Sequence, residues 1–138
     1  MKSKQLVIEK KEFVQLKQLL SLTNYNQDLI FKKSIAQLID ELSDAVIVDE
    51  NEMPESVVRF NSIVEVTLDN GWEKKFELVT SHKSDLNSGK ISVLSPMGAS
   101  VFGRQQNDTF QWEFPSGIHQ LKISFVTQNK LSDMSEMI

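Results

Sequence analysis

Ile91-Ser-Val-Leu-Ser-Pro-Met-Gly-Ala-Ser-Val-Phe-Gly-Arg-Gln-Gln-Asn-Asp108, with Phe114-Pro-Ser-Gly117 after it, specifies a strand, a capped helix and two turns. Ile91 to Leu94 is an apolar run suited to a buried strand. Ser95 can offer its hydroxyl to backbone N–H groups that a first helical turn leaves unpaired, and Pro96 lacks the N–H that would be orphaned there anyway. The helix therefore starts at Pro96. Met97, Val101 and Phe102 can face a core, and Gly103 supplies the left-handed conformation that commonly ends a helix. Asn107-Asp108 turns the chain into its next strand.

Outward from this stretch the period is two. Val64, Val66 and Leu68, then Trp72, Phe76 and Leu78, alternate with polar residues on either side of Asp69-Asn70-Gly71, which reads as a hairpin. A two-residue Asn70-Gly71 loop would pair even with odd positions and split the apolar set between core and solvent. The loop should hold an odd number of residues, most simply three, with Gly71 left-handed beside a bulge. Phe110, Trp112 and Phe114 form a further strand. Leu121, Ile123 and Phe125 form the last, joined to it through Pro115-Ser116-Gly117 with proline in the second turn position.

The first third of the chain has helical spacing instead. Phe13, Leu16 and Leu20 mark a first helix over about 10–22, and Ile35, Leu38, Leu42 and Ala45, broadened by Ile39, mark a second ending near Asp44. Asn24 and Gln27 resemble a capping box opening the second helix. A short connection makes the two antiparallel, a coiled-coil hairpin in which Lys10 and Lys11 would lie near Asp40, Glu41 and Asp44. Asp49-Glu-Asn-Glu-Met-Pro-Glu55 reads as a solvated acidic linker. It lacks the central Gly of a Ca²⁺ loop.

The expected fold class is therefore α+β: a helical hairpin over 1–48, a linker over 49–61, a mostly antiparallel sheet with one short helix over 62–128, and a frayed tail over 129–138.

The 138 residues, 40% hydrophobic and 25% charged, have a globular balance. A net charge of −4 argues against autonomous binding to DNA or RNA, whose affinity rests on Lys and Arg neutralising phosphates. A protein partner fits better. No run is long enough for a membrane span, the N-terminal segment is too charged for a signal peptide, and without Cys there are neither disulfides nor thiolate metal sites. The expectation is a cytoplasmic protein with no cofactor, metal or small-molecule substrate. Asn87-Ser-Gly-Lys90 lacks the rest of a phosphate-binding loop, and no nucleophile elbow, zinc-protease helix or dinucleotide fingerprint occurs. No catalytic residue is assigned.

Together the hairpin, the acidic linker, Met53-Pro-Glu-Ser-Val-Val-Arg-Phe-Asn-Ser62 and Ser-Pro-Met-Gly-Ala-Ser-Val-Phe-Gly103 resemble the GreA/GreB family of transcription elongation factors. Within it the likeness is to the short-hairpin branch called regulator of nucleoside diphosphate kinase, Rnk. The resemblance implies an FKBP-like C-terminal domain that grips the secondary-channel rim of RNA polymerase through Leu94, Ser95, Pro96 and Met97, with nucleic acid met only through the polymerase. It also implies a hairpin tip, Asn24, Tyr25, Asn26 and Asp28, pointing into the channel.

Departures from the family pattern set the function. Cleavage factors carry paired acidic tip residues that help hold a second Mg²⁺ for cutting backtracked RNA. Here only Asp28 is acidic, and Lys32 and Lys33 follow one turn later, where they oppose metal recruitment. A first helix over 10–22 reaches only about 20 Å at 1.5 Å per residue. Leu94 stands where cleavage factors tend to have Asp. The expected function is a non-catalytic regulator that binds RNA polymerase and competes with cleavage factors or modulates elongation. A peptidyl-prolyl isomerase or chaperone-type enzyme on the FKBP-like fold is the alternative.

Each residue also has a plain structural account. Ser95 and Pro96 are explained as a helix start, with partner contact an added role; Asp28 is a complement to the helix dipole before it is a metal ligand. Trp72 and Trp112 are core strand residues, and His82 and His119 are surface or edge residues without ligand-spaced neighbours. Tyr25 has no core to enter at an exposed tip, which makes it a candidate for partner contact, unless it folds back over Leu22 or Leu29.

Overall fold

A computed structural model describes residues 5–22 and 29–128. Asn24, Tyr25, Asn26 and Asp28, the capping box, and the tail from 129 lie outside the described residues.

The order is β1 (Val7–Glu9), α1 (Lys10–Leu22), α2 (Leu29–Leu42), β2 (Val46–Val48), β3 (Ser62–Leu68), β4 (Glu73–Val79), β5 (Lys90–Ser92), α3 (Pro96–Val101), β6 (Thr109–Phe114) and β7 (Gly117–Gln128). A five-stranded sheet runs β5-β4-β3-β7-β6, antiparallel except for the parallel β4–β5 pair. The class is α+β.

The β3–β4 turn has the register that its alternation requires. Val64 faces Phe76 and Thr67 faces Glu73, which leaves Asp69-Asn70-Gly71 as the loop between Leu68 and Trp72. Gly71 is left-handed at φ 87°, and its N–H donates to the Leu68 carbonyl at 3.0 Å. Even positions of both strands therefore share a face, and Val64, Val66, Leu68, Phe76 and Leu78 are all buried on it. Pro115-Ser116 links β6 to β7 in a two-residue turn, with Phe114 paired to Gly117.

Two strand expectations need correction. Phe125 is 48% exposed and Val126 takes its place in the core. The cause is a register shift against β3: Val66 pairs with Ile123 but Glu65 pairs with Phe125, so Ser124 is an extra residue and side-chain parity inverts beyond it. Trp72 is no core residue either. It sits in the turn before β4 and is 44% exposed.

Helix α2 departs from its expected stripe in two positions, the first being Ala45, which is half-buried beyond the helix end at Leu42. Ile35, Leu38 and Leu42 are buried as anticipated, but Ile39 faces outward at 44% exposure and Ser34 is buried instead. The rotation has a chemical reason: Ser34 Oγ accepts the indole N–H of buried Trp112 at 3.0 Å, satisfying a donor that would otherwise be stranded in the core. On the same flank Gln37 reaches the carbonyl of Gln111 and Lys33 meets Glu113. Helix α2 thus lies along β6, the edge strand, and covers it.

A parallel pair joins the ends of the helical zone, with Val7 opposite Val46 and Glu9 opposite Val48. Glu9, itself buried, caps α1: its carboxylate accepts the N–H groups of Lys11 at 2.9 Å and Glu12 at 3.0 Å. Leu6, Ile8, Leu16, Leu20, Leu38 and Leu42 belong to the same apolar cluster as the sheet residues Val64, Phe76, Trp112 and Ile123. Val57, Val58 and Phe60 are buried too, and Val58 donates its N–H to the Arg104 carbonyl at 2.8 Å. Only the stretch before them, rich in Glu and Asp, is exposed.

Candidate partner-binding surface

The turn Ser92 to Ser95 delivers the chain from β5 into α3, and short polar side chains lock it. Ser92 Oγ accepts the Leu94 N–H at 3.0 Å, and the Ser92 carbonyl accepts both the Ser95 N–H at 3.1 Å and the Ser95 hydroxyl at 2.7 Å. Ser95 Oγ in turn accepts the Gly98 N–H at 3.2 Å, the cap that its position before Pro96 announces. A cap that both donates and accepts is rigid.

Leu94, Ser95, Pro96 and Met97 are consecutive and each is half-buried. Leu94 and Met97 press on the core from its rim while part of each stays open to solvent. Gly98 lies directly behind them. A Cβ there would sit 2.0 Å from the Ser92 carbonyl oxygen, which only glycine permits. At the far end of α3, Val101 and Phe102 are buried and Gly103 is left-handed at φ 79°, with Leu6 packed against it.

Arg104 completes the support and was not singled out from the sequence. Its side chain is 2% exposed, its guanidinium lies 4.0 Å from the Phe110 ring centroid, and its Nε donates to the Ser100 carbonyl at 3.1 Å. Nη2 donates to both Glu41 oxygens at 2.6 and 2.9 Å. Glu41, expected opposite Lys10 and Lys11, is thus committed to the sheet side of the molecule. Helix α2 is braced against α3 by an ion pair beneath the candidate surface.

A second charged cluster ties α1 to the acidic segment. Arg59 donates through Nη1 and Nη2 to Glu50 at 2.6 and 2.7 Å, and through Nε to Glu12 at 3.0 Å. Hydrogen bonding from Arg59 holds the Glu50 carboxyl below its ordinary range and raises the guanidinium above its own. Glu12 moves the other way: burial pushes its carboxyl up from 4.5 to about 6, outweighing Arg59, with Glu9 and Glu50 adding repulsion.

His119 has a carboxylate neighbour that sequence spacing hid. Its Nδ1 lies 3.0 Å from Asp69 Oδ1, a residue 50 positions away, and its Nε2 lies 2.9 Å from Ser116 Oγ. The Gln120 N–H and the His119 ring hold the Asp69 carboxyl below its ordinary value. His82 bonds only locally, its Nδ1 3.1 Å from Thr80 Oγ1. Among the described residues no cluster of three or more His, Asp or Glu side chains could hold a metal ion. No described helix is long and apolar enough to cross a membrane. The aromatic side chains Phe76, Phe102, Phe110, Trp112 and Phe114 are all buried.

The family model described as "Transcription elongation factor, GreA/GreB, C-term" matches residues 53–128. The chain is 34% identical over 89 residues to the transcription elongation factor GreA of Christiangramia forsetii, covering 64% of this chain and 56% of that protein. To the GreA of Clostridium botulinum it is 35% identical over 100 residues, covering 71% and 62%. The chain thus spans little more than half the length of the curated relatives it matches. A solved structure of a GreA/GreB elongation factor from Nitrosomonas europaea superposes with a TM-score of 0.69 at 28% identity, over 90% of this chain and 98% of that one.

Proposed function

The chain belongs to the GreA/GreB family of transcription elongation factors, and from that premise we propose that it is a non-catalytic regulator that docks on RNA polymerase at the rim of the secondary channel. Leu94, Ser95, Pro96 and Met97 form the docking surface on an FKBP-like C-terminal domain. The helices α1 and α2 form a short hairpin whose tip, Asn24, Tyr25, Asn26 and Asp28, points into the channel. The site of action is the cytoplasm. The observation that carries the docking surface is the Ser92 to Ser95 turn: a rigid, half-exposed apolar ledge within the stretch where the family match lies.

The regulator works by occupancy. Ion delivery to a distant active centre needs a long arm ending in paired carboxylates; α1 has 13 residues, about 20 Å at 1.5 Å per residue, and the tip sequence has one acid. Such a protein competes with cleavage factors for the rim and modulates elongation.

Two measurements test this. Leu94→Glu and Ser95→Arg should weaken retention on immobilised RNA polymerase, while Tyr25→Ala should change the transcriptional effect more than binding. Equal retention of wild type and Ser95→Arg removes the docking surface. On backtracked elongation complexes the protein should give no cleavage of nascent RNA and should slow cleavage by an added cleavage factor; stimulated cleavage overturns the reading.

A further inference from the structure

The neighbouring strands β3 and β7 bring the β3–β4 loop and the β6–β7 turn to the same end of the sheet, and three side chains meet there. Ser116 Oγ is 2.9 Å from His119 Nε2, and His119 Nδ1 is 3.0 Å from Asp69 Oδ1. The order is the one that activates a serine: hydroxyl, imidazole Nε2, imidazole Nδ1, carboxylate. We propose that Ser116, His119 and Asp69 form a relay that makes Ser116 an acylatable nucleophile toward small activated acyl and phosphonyl compounds.

The geometry fixes the roles. An ionised carboxylate can only accept, so Nδ1 carries the proton given to Asp69, and in the neutral ring Nε2 is left to accept from the Ser116 hydroxyl. Asp69 is itself held, since its Oδ2 accepts the Gln120 N–H at 3.0 Å and its own N–H donates to the Gln120 carbonyl at 3.0 Å. The imidazole is flanked by Phe114, with ring centroids 6.1 Å apart, and its side chain is only 14% exposed. Ser116, by contrast, is exposed on the turn. A fixed base beneath an open nucleophile suits small reagents.

With an aryl ester the steps balance. Ser116 Oγ bonds to the acyl carbon as its proton passes to Nε2; the tetrahedral adduct collapses and expels the phenolate, which takes the proton from Nε2. Water, deprotonated by Nε2, then releases the carboxylic acid and restores the serine. The proposal is independent of the polymerase reading and holds or fails without it.

The test uses the full chain with a fluorophosphonate probe, peptide mapping by mass spectrometry, and the phenolate burst from p-nitrophenyl acetate. Ser116 should label at least about tenfold faster than the other serines of the chain, as an imidazole-activated hydroxyl does. His119→Ala and the shape-preserving Asp69→Asn should each remove that excess, and Ser116→Ala should abolish the burst. Circular dichroism of each variant separates lost relay from lost fold. Absence of the Ser116 adduct in the folded wild type, or equal labelling in folded Asp69→Asn, reduces the three residues to a staple between turns and overturns the proposal.

Discussion

Arg104, three residues beyond α3, holds Glu41 of α2 by two hydrogen bonds of 2.6 and 2.9 Å across 63 positions of sequence. The guanidinium is buried over Phe110, so the pair is poorly screened and each partner depends on the other. Through this contact α2 is tied to the end of α3, since Arg104 Nε also donates to the Ser100 carbonyl.

Removing the guanidinium should therefore cost more than a surface charge would. Arg104→Met leaves the Glu41 carboxylate half-buried without its partner and should lower stability by about 2–4 kcal/mol, somewhat below the cost of orphaning a fully buried ion. Adding Glu41→Leu should recover part of it, because no charge is then stranded. Urea denaturation of the two single variants and the double variant gives the coupling; strictly additive losses would show that the contact contributes nothing.

Ser34→Ala should cost about 1–3 kcal/mol, far more than its small size suggests, because it strands the indole N–H of Trp112 in the core. Trp112→Phe in that background should lose little of what Ser34 supplied. Thermal unfolding of the double variant decides whether the hydroxyl serves the indole or only fills space.

Gly98 in α3 and Gly71 in the β3–β4 loop should lose very different amounts of stability to the same added methyl. Gly98→Ala places Cβ 2.0 Å from a backbone oxygen that cannot swing aside, and should cost more than about 3 kcal/mol or prevent folding. Gly71→Ala meets nothing within 4 Å and suffers only the left-handed backbone, about 1–2 kcal/mol. Comparable losses at both positions, measured by chemical denaturation, would mean the α3 start is looser than its contacts imply.

Local chemistry was legible in the sequence and non-local chemistry was not. Ser95-Pro96 and Gly103 mark a helix by what they do to their own backbone, and parity around Asp69-Asn70-Gly71 dictates a three-residue loop; both came through intact. Phe125 failed because one extra residue at Ser124 inverts parity without leaving a signature in composition. The three-residue pairing of β1 with β2 is too short for any period to show. The same limit hid the charged contacts: nothing near His119 announces Asp69, and nothing near Arg104 announces Glu41. Leu94 was read as the end of a buried strand, whereas β5 stops at Ser92 and Leu94 is half-buried beyond it; the contact role given to Leu94, Ser95, Pro96 and Met97 came from the family resemblance, not from period or spacing.

Glu12 sets the last prediction, a stability change in the mildly acidic range. Its folded carboxyl lies near 6, above the ordinary 4.5, so between these values the native state retains a proton that the unfolded chain has released. Stability from this residue is therefore greatest below about pH 4.5 and is lost as pH rises through about 6. The side chain is mostly buried, so the loss is on the order of 2 kcal/mol. Glu50 runs oppositely: its carboxyl is held low, so its contribution is present above 4.5 and fades only below the window in which Glu12 titrates. Glu12→Gln keeps an acceptor for Arg59 Nε but cannot ionise. Relative to wild type it should gain about 2 kcal/mol between pH 4.5 and 7 in urea midpoints converted to free energy. A wild-type-to-variant difference that stays flat across that range means Arg59 neutralises Glu12 fully and burial does not govern its charge.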